Sequence, residues 1–360
     1  MRPSRVGLSV SLTAAALVAI LATVHSAAAS AIGPWSQSTV ADFSGCSVLT
    51  NTVISDLAGG EIRLAAALED DFSGATIDFT RWITNRYYTW GGFDPFVAGG
   101  VLNLDGSSVR SLNSISGEAR VMEFRARLRP SGVNMGWPAL GLGRQSDPAG
   151  SGSGQAHRLW EGDDSGGLAA TARDGGAANQ FQSVSGIDLT QYHVFRIEWS
   201  PFSTAYAIDG SPRVTLTASS SVPAWAWLYT LNPGSRVEVD WVRVTPYAST
   251  TGTFVSCPID AAEITNWGNL TWVGSTPPGT SITLETRSSV NGAVWSAWSS
   301  PATASGSPIQ SPAGRYLQYR ITLASVDATA SPEVRQVIVT AQTGWQAFTT
   351  SWRMRFTAFS

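Results

Sequence analysis

Apolar and polar residues alternate along most of the chain with a period of two, the signature of strands with two unlike faces. The clearest run is Gln191–Thr217 (QYHVFRIEWSPFSTAYAIDGSPRVTLT), where Phe195, Ile197 and Trp199 interleave with Val194, Arg196 and Glu198. Thr204–Ile208 and Arg213–Thr217 flank Asp209-Gly210, a pair that takes positive φ at low cost and predicts a hairpin. Val101–Leu104 and Val109–Leu112 flank Asp105-Gly106 in the same way and predict another. Arg120–Arg129, Trp137–Leu142, His157–Trp160, Leu168–Arg173, Gln180–Val184, Ala224–Leu231 and Arg236–Thr245 read as further strands. Short strands at this spacing predict a two-sheet sandwich. Small, polar Ala248–Thr253 marks a boundary. Beyond it about seven short strands, including Ile264–Val273, Ser281–Arg287, Tyr316–Leu323 and Val334–Thr340, predict a second, smaller immunoglobulin-like sandwich.

Composition sharpens this picture. The 360 residues are 43% hydrophobic and 14% charged, with 35 Gly and 15 Trp, and every basic residue other than His is Arg. Such a chain can bury a core, has length for two domains, and suits an all-β fold rich in turns. A net charge of -3 gives no reason to expect nucleic acid as a partner. Arg2 and Arg5, the apolar run Val10–Val24 and then Ala27-Ala28-Ala29 follow the order of a secretory signal peptide cut after Ala29. The run is short for a membrane anchor, so the mature chain is expected to be exported, not inserted in the membrane, and monomeric. Cys46 and Cys257 are the only cysteines. Export favours a disulfide between the N-terminal segment and the C-terminal module; the alternative is two separate buried thiols. Trp35–Leu68 holds short β-like runs and is expected to dock on that module.

Several stretches carry a resemblance. YHVFRIEW followed by IDG, the closing run Val239–Val244, Gly117-Glu118-Ala119-Arg120 with Gly136-Trp137-Pro138-Ala139, and the opening Asp70-Asp71-Phe72-Ser73-Gly74 through Asp78 to Trp82 resemble the concanavalin A-like lectin/glucanase superfamily, including laminarinase-like (family 16) glycoside hydrolases. The resemblance implies a concanavalin A-like jelly roll over 68–247. The expected order is then a signal peptide (1–29), an N-terminal β segment (30–67), the jelly roll, an immunoglobulin- or fibronectin III-like sandwich (252–342), and a tail (343–360) with no assigned structure. The second module resembles accessory modules found beside exported carbohydrate-active domains. Its Trp295 and Trp298 read as rings stacked on Arg side chains.

The resemblance also implies where chemistry would sit. Hydrolases of this family place two carboxylates about 5–5.5 Å apart, on one strand, in Glu-x-Asp-x-x-Glu. Here Glu161-Gly162-Asp163-Asp164-Ser165 supplies Glu161 and Asp163 and no second Glu. Glu118 and Glu123, on another strand, could contribute one carboxylate, which would make a new active site. Asp240 matches the position that helps hold a structural calcium in the family. Flat aromatic rings with polar neighbours suit sugars, and Tyr87, Tyr88, Trp90, Trp137, Arg144, Arg158 and Trp160 are candidates for a polysaccharide- or glycan-binding face. His193 and Glu198 read as structural, and His157 has no partner for a triad or a metal site. Three functions follow: an exported non-catalytic carbohydrate-binding protein, secreted or at the cell surface; a laminarinase-like hydrolase with a displaced carboxylate pair; or a structural, adhesive module that binds protein.

Overall fold

The computed structural model describes residues 33–56, 59–87, 91–116, 119–129, 138–144, 156–162, 167–174, 179–217, 223–234 and 236–342. The leader, the tail, Tyr88, Trp90, Trp137, Glu118 and Asp163 lie outside them. The described chain is all-β, with antiparallel sheets of eight, seven, six and five strands.

The eight- and seven-stranded sheets form the jelly-roll sandwich. The first runs, edge to edge, Ser211–Leu216, Thr204–Ile208, His193–Trp199, Arg120–Arg129, Arg236–Tyr247, Val101–Leu104 and Phe96–Ala98, with Ala66–Asp70 also paired to Arg236–Tyr247. The second runs Gln180–Val184, Leu168–Arg173, His157–Gly162, Pro138–Gly143, Trp225–Thr230, Ser107–Ser111 and Trp82–Arg86. Alternation sends Met122, Phe124, Phe195, Ile197 and Tyr206 of one sheet against Leu140, Leu142, Trp160, Ala170 and Leu228 of the other, in one continuous core. Trp160 meets Tyr206 and Phe195 edge-on, with ring centroids 5.3 and 5.8 Å apart. The Tyr206 hydroxyl crosses the sandwich and donates to the Thr171 carbonyl at 2.6 Å. Asp70 joins the sheets elsewhere, accepting from Trp82 Nε1 at 2.7 Å and from the Phe72 amide at 2.9 Å. That bond gives the Asp-Phe…Trp opening a physical reason.

The turn at Asp209-Gly210 is a hairpin, with φ of 50° and 72° at its two central residues. His193 locks it, its Nδ1 lying 2.7 Å from Asp209 Oδ2. The predicted hairpin at Asp105-Gly106 is a correction. Val101–Leu104 belongs to the eight-stranded sheet and Ser107–Ser111 to the seven-stranded one, so the chain turns a corner between sheets there. Positive φ at Gly106 serves a corner as well as a hairpin, and Asp105 Oδ1 holds the corner by accepting from the Gly234 amide at 2.6 Å.

The six- and five-stranded sheets enclose a second core that includes Phe43, Leu64, Phe254, Trp267, Tyr319 and Val337. The N-terminal segment does more than dock on it. Trp35–Gln37 pairs with Glu333–Ala341, Thr52–Ser55 and Glu61–Leu64 extend the same sheet, and Val48–Thr50 joins the other sheet beside Thr251–Val255. The jelly roll is thus inserted within the second sandwich, leaving it after Leu64 and returning at Thr251. A disulfide joins Cys46 to Cys257. On this module's surface Arg287 lies 4.9 and 4.6 Å from the ring centroids of Trp295 and Trp298, and Arg320 lies 4.7 Å from that of Trp298. No helix among the described residues is long and apolar enough to cross a membrane.

Candidate binding face

With Leu140, Leu142, Trp160 and Leu228 turned inward, their neighbours on the same strands form the outer face of the seven-stranded sheet. Register sets the order of that face. Glu161, Ala139, Tyr229, Ser108 and Asn85 stand on one cross-strand line. Leu159, Gly141, Trp227, Arg110 and Ile83 make the next, then His157, Gly143 and Trp225. The strand Trp225–Thr230 therefore sets three aromatic rings, Trp225, Trp227 and Tyr229, along one side, Trp225 half-buried and the other two buried. The small residues Ala139, Gly141 and Gly143 on the adjacent strand are buried, Ala139 packing with Leu159 and Tyr229 and Gly143 lying against the Trp227 ring.

Polar groups converge on these rings. The Arg110 guanidinium lies 5.8 Å from the Trp225 ring centroid and 5.7 Å from that of Trp227. Trp227 Nε1 donates to the Arg144 carbonyl at 2.8 Å. Glu161 is the only carboxylate on the described strands of this face. Burial pushes its carboxyl above the ordinary range, with the Thr171 hydroxyl acting against the shift.

Of the sugar-face candidates, Tyr87 and Arg144 lie beside this surface. Tyr87 is buried, with its hydroxyl 3.4 Å from Ser108 Oγ, and Arg144 is exposed at the end of its strand. Arg158 and Trp160 are corrections, both fully buried between the sheets. Arg158 donates to Thr204 Oγ1 at 2.8 Å and to Asp174 at 2.6 Å, with its guanidinium over the Trp199 ring. They alternate with Leu159 and Glu161, and a period of two fixes which residues share a face without saying which face is inside. Glu123 stands on the outer face of the other sheet, bonded to Arg196 and Arg243, and does not reach Glu161.

Asp240 also lies on the eight-stranded sheet, where its carboxylate accepts from Arg125. A guanidinium faces that carboxylate, and among the described residues no three His, Cys, Asp or Glu side chains gather around a metal-sized point. Clefts of about 340 and 330 Å³ flank the junction of the two sandwiches. Their walls carry ion pairs, Arg63 with Glu69 and Glu123 with Arg196 and Arg243.

Sequence reasoning missed Trp225, Trp227, Tyr229 and Arg110. The first three had a signal, an aromatic at every second position of AWAWLYT. Arg110 had none, because its neighbours come from another strand.

No family model and no curated protein matches the chain. Similarity is to solved structures. LamAcat of Zobellia galactanivorans is 15% identical, covering 50% of this chain and 97% of its own, with a TM-score of 0.40. A pseudo beta-1,3-glucanase and immunostimulatory antigen of Mycobacterium tuberculosis is 18% identical over 50% of this chain and 98% of its own, at 0.39. A beta-1,3-glucanase from Mycobacterium marinum is 19% identical over the same shares, at 0.39.

Proposed function

We propose that the protein is an exported carbohydrate-binding protein that holds a polysaccharide or glycan on the outer face of the seven-stranded sheet and does not cleave it. The observation that carries this reading is the half-buried Trp225 ring on that face, with Arg110 beside it and the buried Trp227 and Tyr229 rings continuing the same row. Sugar rings present apolar C–H faces that stack on flat aromatics, while neighbouring polar groups fix their orientation. A retaining glycosidase needs a second carboxylate about 5–5.5 Å from the first. The described strands of this face supply Glu161 alone. Export is supported by the leader-like N-terminus and by the disulfide, a bond that persists in oxidising compartments.

One observation favours hydrolysis: burial holds the Glu161 carboxyl toward its protonated form, as a general acid requires. A panel of polysaccharides, scored for retention of the protein and for released reducing ends, separates the readings. Retention without release, weakened by Trp225→Ala, is the expected result. Release abolished by Glu161→Gln would make the protein an enzyme. A blank panel would turn attention to a protein partner.

A further inference from the structure

The aromatic face carries an arginine with no acid to match it among the described residues. Arg110 is 9% exposed, its Nη1 donates to the Ser111 carbonyl at 3.0 Å, and its flat group lies near two indoles. Among the described residues no carboxylate forms an ion pair with it, although an arginine keeps its charge when buried. Most buried or half-buried arginines here meet an acid: Arg63 pairs with Glu69, Arg127 with Glu238, Arg158 with Asp174, Arg196 and Arg243 with Glu123. Two others lack one, in different settings. Arg120 points between the sheets onto Trp199, and Arg287 is held by Gln318 and two Trp rings. The one acid on the described strands of this face, Glu161, stands three strands away, and its burial favours the neutral form. A buried, unmatched charge costs stability and is relieved when an anion arrives.

We propose that the ligand of this face is an anionic polysaccharide, bearing a uronate carboxylate or a sulfate ester, with Arg110 holding the anion while the half-buried Trp225 stacks on a sugar ring and the buried Trp227 backs the guanidinium. The inference rests on the sugar-binding reading above and names its substrate class. A guanidinium presents a planar fork of donors that fits carboxylate and sulfate oxygens alike. A neutral glucan leaves that fork unmatched and is discriminated against on that account.

The test measures affinity of the full chain for polygalacturonate, a sulfated galactan and a neutral beta-1,3-glucan, each at low and high NaCl. One of the anionic polymers is expected to bind about tenfold or more tightly than the neutral one, and added salt is expected to weaken it. The polymer that binds tells carboxylate from sulfate. Arg110→Gln should lose about tenfold on that polymer, Arg110→Lys should recover part of it, and Arg213→Gln, an exposed arginine on the other sheet, should change nothing. Unfolding midpoints separate lost contacts from lost fold. If Arg110→Gln does not fold, the wild-type preference and its salt dependence decide. Equal or tighter binding of the neutral glucan, or anionic binding indifferent to salt, overturns the inference and leaves the sugar-binding reading standing. Failure to bind all three overturns both.

Discussion

The two outer faces of the jelly roll are built by the same alternation and have opposite chemistry. On the eight-stranded sheet charges come matched: Glu123 sits between Arg196 and Arg243, Asp240 meets Arg125, and Glu238 meets Arg127 and Arg129. The Tyr192 ring lies 4.5 and 4.6 Å from the Arg125 and Arg127 guanidinium groups. On the seven-stranded sheet the rings are clustered, Arg110 forms no ion pair among the described residues, and Glu161 is pushed toward its neutral form. A face whose charges satisfy each other has little left for a ligand. A face that bears the cost of unmatched groups is where a ligand would repay it.

The contrast can be broken from either side. The largest effect is expected from Glu123→Ala, which leaves Arg196 and Arg243 facing each other. A loss of about 3 kcal/mol would lower the unfolding midpoint by about 10 °C. A fall of under about 2 °C would mean the matched face holds little. Next comes Trp225→Ala, which should weaken polysaccharide retention about tenfold, while Tyr192→Ala on the opposite face leaves it intact. Glu161→Gln should do the reverse of Glu123→Ala and raise the midpoint at neutral pH by about 2 °C. The sign follows from the raised carboxyl of the folded state. Its contribution is present in acid and is lost as pH rises through the folded value, so the gain from Gln should grow above the ordinary carboxylate range and then level off. An equal gain at every pH would show that Glu161 is not titrating in the fold. Asp240→Asn is the smallest, under about 1 kcal/mol, because both partners are partly exposed; thermal melts of that variant should nearly overlay the parent.

The sequence was most legible where local chemistry has one structural solution. Asp209-Gly210 lies between two strong alternations, and its hairpin formed as read. Asp105-Gly106 has the same dipeptide, but the flanking strands found better partners in different sheets, which no local signal reveals. The candidate site was harder. HRLWEG alternates cleanly, yet a large ring stood on one face and a leucine on the other, and the ring went inside. In AWAWLYT the aromatic positions went outward because the small and aliphatic residues between them, Ala226 and Leu228, fill the core. Arg110 acquires its meaning only from Trp225 and Trp227, far along the chain.

The insertion of the jelly roll has a consequence in time. Trp35–Gln37 is synthesised before any other strand described, yet its partner lies in Glu333–Ala341, the last. At roughly 5–20 residues per second, these first strands wait on the order of tens of seconds with open edges. The jelly roll has all its strands in the meantime and can close as a finished excursion, drawing Leu64 and Thr251 together. Cys46 should therefore remain open to alkylating reagents in chains arrested before Thr251, and become protected as the later strands emerge. The second sandwich is begun first and completed last.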